Sequence, residues 1–231
     1  MQTSITIQTA DGDFSAYVAH PATLPAPVIV VLQEIFGVNP DMRETADELA
    51  AQGFIAVCPD LFWRQAPRIE LSDKTDWERA FSLYQAYDRD QGVHDIAATI
   101  DAARTLDGAS GKVGLMGFCL GGLMTYLTAV RTGVDAGAWY YGGSTEDYLA
   151  EVDGLSAPFL MHVGADDEYI SAQAQAAIAS AVSNRRNVEL HVYPGCSHAF
   201  ARHRGTRFDA DAAVLANQRT VAFFRQHLGA A

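Results

Sequence analysis

Lys112-Val113-Gly114-Leu115-Met116-Gly117-Phe118-Cys119-Leu120-Gly121-Gly122-Leu123-Met124-Thr125-Tyr126-Leu127 is the stretch that decides the fold. Its first five residues read as a buried strand and its last six as the start of a helix, so Gly117 to Gly121 is a sharp strand-to-helix turn. Glycines two residues either side of Cys119 are what such a turn demands, because ordinary Cβ atoms would collide there and the apex residue is strained. The pattern is a nucleophile elbow with sulfur in place of oxygen. At the helix N-terminus, the partial positive charge of the helix and the free amide of Leu120 favour both a thiolate and a developing oxyanion.

On either side of this turn the same rhythm repeats. Val28 to Leu32, Ile55 to Cys58, Val113 to Met116, Gly137 to Tyr141, Phe159 to Val163 and Val188 to Tyr193 are short apolar runs of the kind that form strands buried on both faces. Helical patterns lie between them over Met42 to Gln52, Asp95 to Leu106, Leu123 to Val130, Ala172 to Val182 and Ala212 to Leu228, with Gly53 suited to a helix C-terminus. Alternation of this kind predicts an α/β fold with a mostly parallel sheet covered by helices on both faces, with reactive groups beyond the carboxyl ends of the strands. Ile5-Thr6-Ile7 and Phe14 to Val18, alternating around Asp11-Gly12, predict an antiparallel hairpin at one edge. Phe62 to Gln91 breaks the rhythm with Trp63, Trp77, Phe81, Tyr84 and Tyr87, and is expected to form short helices overhanging the site.

Composition narrows the classes of function. A chain of 231 residues, 49% apolar and 19% charged, is expected to form one domain over residues 1–231. Sixteen Lys and Arg against 28 Asp and Glu leave a formal charge of -12, which argues against nucleic acid or anionic lipid as a partner. A small anionic substrate remains compatible with local cations such as Arg202 and Arg204. The start Met1-Gln2-Thr3-Ser4-Ile5 lacks a basic, apolar leader, and no stretch approaches a membrane span, so a soluble, cytoplasmic protein is expected. Three cysteines at irregular spacing fit neither a disulfide framework nor a zinc site, and no metal or cofactor is expected. Cys58 and Cys196 read as packing residues, and His94, His162 and His227 as structural.

A cysteine nucleophile needs a base, and the base an orienting acid. His198 follows a late strand at Gly195-Cys196-Ser197-His198; Asp166, Asp167 and Glu168 follow another at Leu160 to Gly164. The order nucleophile, acid, histidine is that of α/β-hydrolases. The second oxyanion donor comes from the loop after an earlier central strand, here Gln33-Glu34-Ile35-Phe36-Gly37, so the amides of Leu120 and Ile35 are the expected pair. Glu34, charged and directly after a buried strand, is placed to hydrogen-bond the Cys119 thiol and take its proton, or to pair with an arginine such as Arg202.

Gln33-Glu34-Ile35-Phe36-Gly37, Cys58-Pro59-Asp60-Leu61, Gln85-Ala86-Tyr87-Asp88, Gly117 to Gly122, Tyr140-Tyr141-Gly142 and Gly195 to Arg202 together resemble the motifs of the dienelactone hydrolase (carboxymethylenebutenolidase) family, in order over nearly the whole chain. The resemblance implies an α/β-hydrolase domain and a monomer. It also implies a Cys-His-Asp triad on Cys119, His198 and Asp167, and opening of a carboxylate-bearing enol-lactone in the breakdown of catechol-type aromatics. Glu34 then matches the acid that activates the thiol and Arg202 an arginine that holds the substrate carboxylate, with Phe36 and Tyr140 beside the substrate. Two positions depart: where the family carries a second arginine and a tyrosine, this chain has Trp77 and Phe81, leaving Arg79 or Arg64 as substitutes. The departures raise a broad carboxylesterase or thioesterase acting on less polar esters as an alternative. A thiol redox sensor or a silent binding module is the alternative from a different class.

Overall fold

The computed structural model describes residues 3–229, so the reading at Met1 and Gln2 lies outside the described residues. One eight-stranded sheet forms the centre. Its strands are β1 (Ser4–Thr9), β2 (Gly12–Ala19), β3 (Ala26–Leu32), β4 (Ile55–Pro59), β5 (Ala109–Phe118), β6 (Ala136–Tyr140), β7 (Phe159–Gly164) and β8 (Val188–Tyr193), in the spatial order β1-β2-β4-β3-β5-β6-β7-β8. The pairs β1–β2 and β2–β4 are antiparallel and all the others parallel. Every residue of β3, β4, β6 and β7 is buried. Their mostly apolar sequences follow from helices on both faces.

The helices are α1 (Pro40–Ala51), α2 (Trp77–Gln85), α3 (Arg89–Arg104), α4 (Leu120–Arg131), α5 (Ala172–Val182) and α6 (Ala210–Leu228), with a 3-10 segment at Thr145–Gly154. Side chains cap four of them at the N-terminus: Asn39 for α1, Asp88 for α3, Ser171 for α5 and Asp209 for α6. Each oxygen accepts an amide that has no partner within its helix. No helix among the described residues is long and apolar enough to cross a membrane.

Connectivity explains where a site can form. From β3 the chain crosses to β4 on one side, whereas from β5 it steps through β6, β7 and β8 on the other. Right-handed crossovers then put α1 on one face and α3, α4 and α5 on the opposite face. The reversal between β3 and β5 is a switch point, and the loops leaving these two strands part from each other at their carboxyl ends to leave a crevice. Leu32 is in register with Gly117, so the residues that follow this pair, Gln33-Glu34-Ile35 and Phe118-Cys119-Leu120, emerge side by side.

Candidate active site

Cys119 occupies the N-cap of α4 with φ 53° and ψ −113°, a state that costs about 1–3 kcal/mol and persists only where the surroundings fix it. Here they do. A Cβ on Gly117 would lie 2.2 Å from the carbonyl oxygen of Gly121, and one on Gly121 would lie 2.3 Å from that of Leu32. β5, β3 and the first turn of α4 therefore touch backbone to backbone, and the Gly121 amide donates to the Gln33 carbonyl at 3.0 Å. Unlike the four capped helices, α4 has no side-chain cap. The amides of Leu120 and Ile35 have no acceptor among the described residues, and both residues line the cavity above the sulfur. Cys58 and Cys196 are buried; burial pushes the Cys58 thiol up to about 12 and raises that of Cys196.

Parallel pairing of β7 with β8 brings the next two loops together. Ala165 N–H donates to Tyr193 O at 2.9 Å and Asp166 N–H to Cys196 O at 3.0 Å, locking the loops in register. Of the three acids there, Asp167 reaches the imidazole: His198 Nδ1 lies 2.9 Å from its Oδ2 and 3.1 Å from its Oδ1. Asp167 is fixed in turn by the amides of Tyr169 and Ile170. Asp166 is exposed, while Glu168 accepts from the His198 amide and pairs with Arg207. His198 Nε2 is buried with no hydrogen-bond partner among the described residues, and it shares the cavity with Cys119, the group that raises it most. Burial alone disfavours the imidazolium. The negative charge of Cys119 and the hydrogen bond that Nδ1 donates to Asp167 outweigh it, so His198 is pushed up to about 10. Tyr141 and Tyr169 pack edge-on against the ring at 5.1 and 4.9 Å. Tyr141, Ser144 and Ala199 share with Cys119 a positive φ, so strain gathers around this one place.

Glu34 is buried and pairs with Arg202 through Oε2, while its Oε1 is buried with no partner. No hydrogen bond joins Glu34 to Cys119 among the described residues; of the two arrangements expected for this acid, the arginine pair is the one present. Arg202 also donates from Nη1 to Asp73 Oδ2 at 3.1 Å and lies over the Phe36 ring at 4.9 Å. Burial works against the charge of the guanidinium, and Glu34, by charge and hydrogen bond, more than offsets it and holds Arg202 further toward its charged form.

The cavity over Cys119 has a volume of about 190 Å³. Cys119, Leu120, His198, Ile35, Phe36 and Arg202 line it together with a group of aromatic rings, Trp77, Phe81, Tyr84 and Tyr169. Trp77 stacks near Tyr169 at 6.4 Å and tilts onto Phe36 at 5.9 Å. Three expectations need correction. Tyr140 lies outside this cavity, because alternation along β6 turns it the other way: its hydroxyl meets Asn217 and Thr220 of α6, where it lines a separate cavity of about 550 Å³ between α1 and α6. Arg64 is held by Asp95 and Asp11 and stacks on Trp63, so it lines no part of the site. Arg79 is exposed and likewise lines no part of it. The sequence reading missed Asp73, Tyr84 and Tyr169. Tyr84 was within reach, since Trp77, Phe81 and Tyr84 stand at i, i+4 and i+7 on α2, one helical face; Asp73 and Tyr169 carry no local signal. His162 is buried between Tyr193 and Thr220 in β7, away from the cavity. No group of three or more His, Cys, Asp or Glu among the described residues is arranged to hold a metal ion.

Known proteins resemble this chain over nearly its whole length. The family model described as "Dienelactone hydrolase family" matches residues 14–228. A carboxymethylenebutenolidase of Pseudomonas putida is 43% identical, covering 95% of this chain and 94% of its own. Carboxymethylenebutenolidase 1 of Cupriavidus pinatubonensis is 39% identical, covering 91% and 90%. Among solved structures, a dienelactone hydrolase-like promiscuous phosphotriesterase from metagenomic libraries superposes with a TM-score of 0.81 at 21% identity, covering 98% of this chain and 99% of its own, a likeness of fold.

Proposed function

The chain belongs to the dienelactone hydrolase family, and from that premise we propose that it is a lactone and ester hydrolase opening an enol-lactone of the dienelactone type through a covalent thioester on Cys119. The observation that carries this reading is the imidazole of His198, fixed by Asp167 on one side and facing the Cys119 sulfur on the other. The Cys119 proton passes to His198, whose imidazolium is favoured by Cys119 and Asp167. Sγ attacks the lactone carbonyl carbon, the carbonyl electron pair moves to oxygen, and the Leu120 and Ile35 amides bind that oxyanion. Collapse breaks the ring C–O bond. Its enolate oxygen leaves readily, because the charge is delocalised and needs little help from an acid.

Acylation also removes the sulfur's charge, and with it the main influence that raised His198. The imidazole then sheds its proton more easily and serves as base for the water that attacks the thioester, returning acid product and free thiol. Glu34 is the further group for proton traffic at the sulfur, through its unpaired Oε1. The same reading makes residues 1–231 one cytoplasmic, monomeric domain without metal or cofactor, acting in the breakdown of catechol-type aromatics, with Arg202 as the cation that faces the substrate in the cavity. Cys119→Ala abolishes turnover of dienelactone with the circular dichroism unchanged; undiminished turnover refutes the assignment. Intact-mass spectrometry of a slowly hydrolysed ester should show an acyl adduct on Cys119. A second reading, a carboxylesterase for less polar esters with the same triad, is favoured by Trp77 and Phe81 on the cavity wall.

A further inference from the structure

Resting on the hydrolase reading above, we propose that Asp73 is a positioning residue that sets the charge preference of the cavity. By occupying Arg202, it directs the site toward lactones and esters whose group facing that arginine is uncharged. Arg202 is the one Lys or Arg among the residues lining the cavity. Glu34 holds its Nε and Asp73 its Nη1, so one positive and two negative groups make a cluster of formal charge −1. The three side chains are only 12%, 5% and 14% exposed, so solvent screens them far less than a surface trio. A substrate carboxylate arriving here becomes a third anion around one guanidinium, and like charges so placed oppose binding. A neutral carbonyl or ester oxygen meets no such opposition and accepts from Nη2, which has no partner among the described residues.

Asp73 has no other employment. It lies in the turn before α2, and that turn is held by Asp76, whose Oδ2 accepts from the Ser72 amide at 2.9 Å and from the Thr75 hydroxyl at 3.0 Å. Among the described residues, the single hydrogen bond of the Asp73 side chain is to Arg202. The aromatic part of the lining, Trp77, Phe81, Tyr84 and Tyr169, supplies no compensating cation. Those rings suit a planar conjugated or aromatic acyl group. The substrate class inferred is therefore a flat, uncharged lactone or ester.

The test compares the acid and the methyl ester of carboxymethylenebutenolide on the wild type and on Asp73→Asn, which keeps shape and hydrogen bonding but removes the charge. The ratio of kcat/KM for acid over ester should rise about tenfold, through KM for the acid. That gain should vanish when Arg202→Gln is added. A ratio that does not move, or a gain that survives Arg202→Gln, overturns the role given to Asp73. A second arm needs no turnover: calorimetric titration with trans-cinnamate and with cinnamamide. Tighter binding of cinnamate alone in Asp73→Asn supports the proposal even if the wild type opens neither lactone, a result that would defeat only the hydrolase reading. Parallel changes for both probes overturn the proposal even where lactone turnover is normal.

Discussion

The two sides of the cavity are built by different means. On the side of the elbow, main chain lies against main chain: Gly117, Gly121 and Leu32 leave no room for a methyl group, and Cys119 is held in a strained conformation at the end of an uncapped helix. On the side of α2, the contacts are between side chains, and Trp77 and Phe81 remain 42% and 43% exposed. Backbone crowding fixes the position of a reacting atom to a fraction of an ångström, which chemistry requires. A wall of half-exposed rings tolerates change of size and polarity, which is how one scaffold takes new substrates. The elbow should therefore be costly to alter and the wall cheap, and each prediction below measures one side of that contrast.

The largest effect is expected where the imidazole is oriented. Asp167→Asn keeps the shape of the acid but removes the charge that fixes the Nδ1 proton, and kcat should fall about 10³- to 10⁴-fold with KM little changed. A fall of less than tenfold would pass the orienting role to another group and separate the elbow from this histidine. Next comes Gly121→Ala. Its new methyl meets the Leu32 carbonyl oxygen, a backbone atom that cannot yield, so stability should drop by about 3 kcal/mol or more in chemical denaturation. Unchanged stability would mean that the strand-to-helix turn is looser than its geometry indicates.

The same division governs what the sequence made legible. β3, β4, β6 and β7 are readable because burial on both faces removes nearly all polar residues from them, β1 and β2 because their residues alternate around a turn, and β8 and α5 match residue for residue. Cys119, His198 and the Leu120 and Ile35 amides are readable because a strand end followed by a tight turn leaves a local mark. Helix starts were less visible. α3 begins at Arg89, six residues before its apolar periodicity, because Asp88 caps it by accepting from the Gln91 amide. The wall was the least legible part. Tyr140 and Tyr141 are adjacent, and only the pleat of β6 tells which one packs on His198. The Arg202–Asp73 contact joins residues 129 positions apart, which no local pattern encodes.

A smaller effect follows from the charge held at the elbow. His198 is raised from its ordinary value near 6.5 to about 10 in the folded protein. Its contribution to stability is therefore fully present below about pH 6.5 and is lost as pH rises through about 10. Between these limits the folded state holds the His198 proton that the unfolded state has released; below about pH 8.5 the unfolded cysteine offsets this by keeping its own proton, so the fall is steepest above that pH. Stability should fall across this window by at most about 1.4 kcal/mol per pH unit. Cys119→Ala should flatten the fall, since the sulfur's charge is the largest of the influences that raise this histidine. Denaturation midpoints from pH 6 to 10 decide it: equal slopes in wild type and variant would assign the proton to a different group.

The smallest effect belongs to the wall. Trp77 touches Phe36 and Tyr169 only at ring distances of 5.9 and 6.4 Å and is two-fifths exposed, so Trp77→Ala should cost no more than about 0.5 kcal/mol of stability. Its ring still gives a flat acyl group a face to lie on. KM for a p-nitrophenyl ester of an aromatic acid should rise about three- to tenfold, with a much smaller change for the acetate. A rise equal for both esters would show that the ring only closes the cavity. A fall in kcat comparable to that of Asp167→Asn would remove the distinction between the two sides, because a residue of the wall would then be helping to place the reacting atoms.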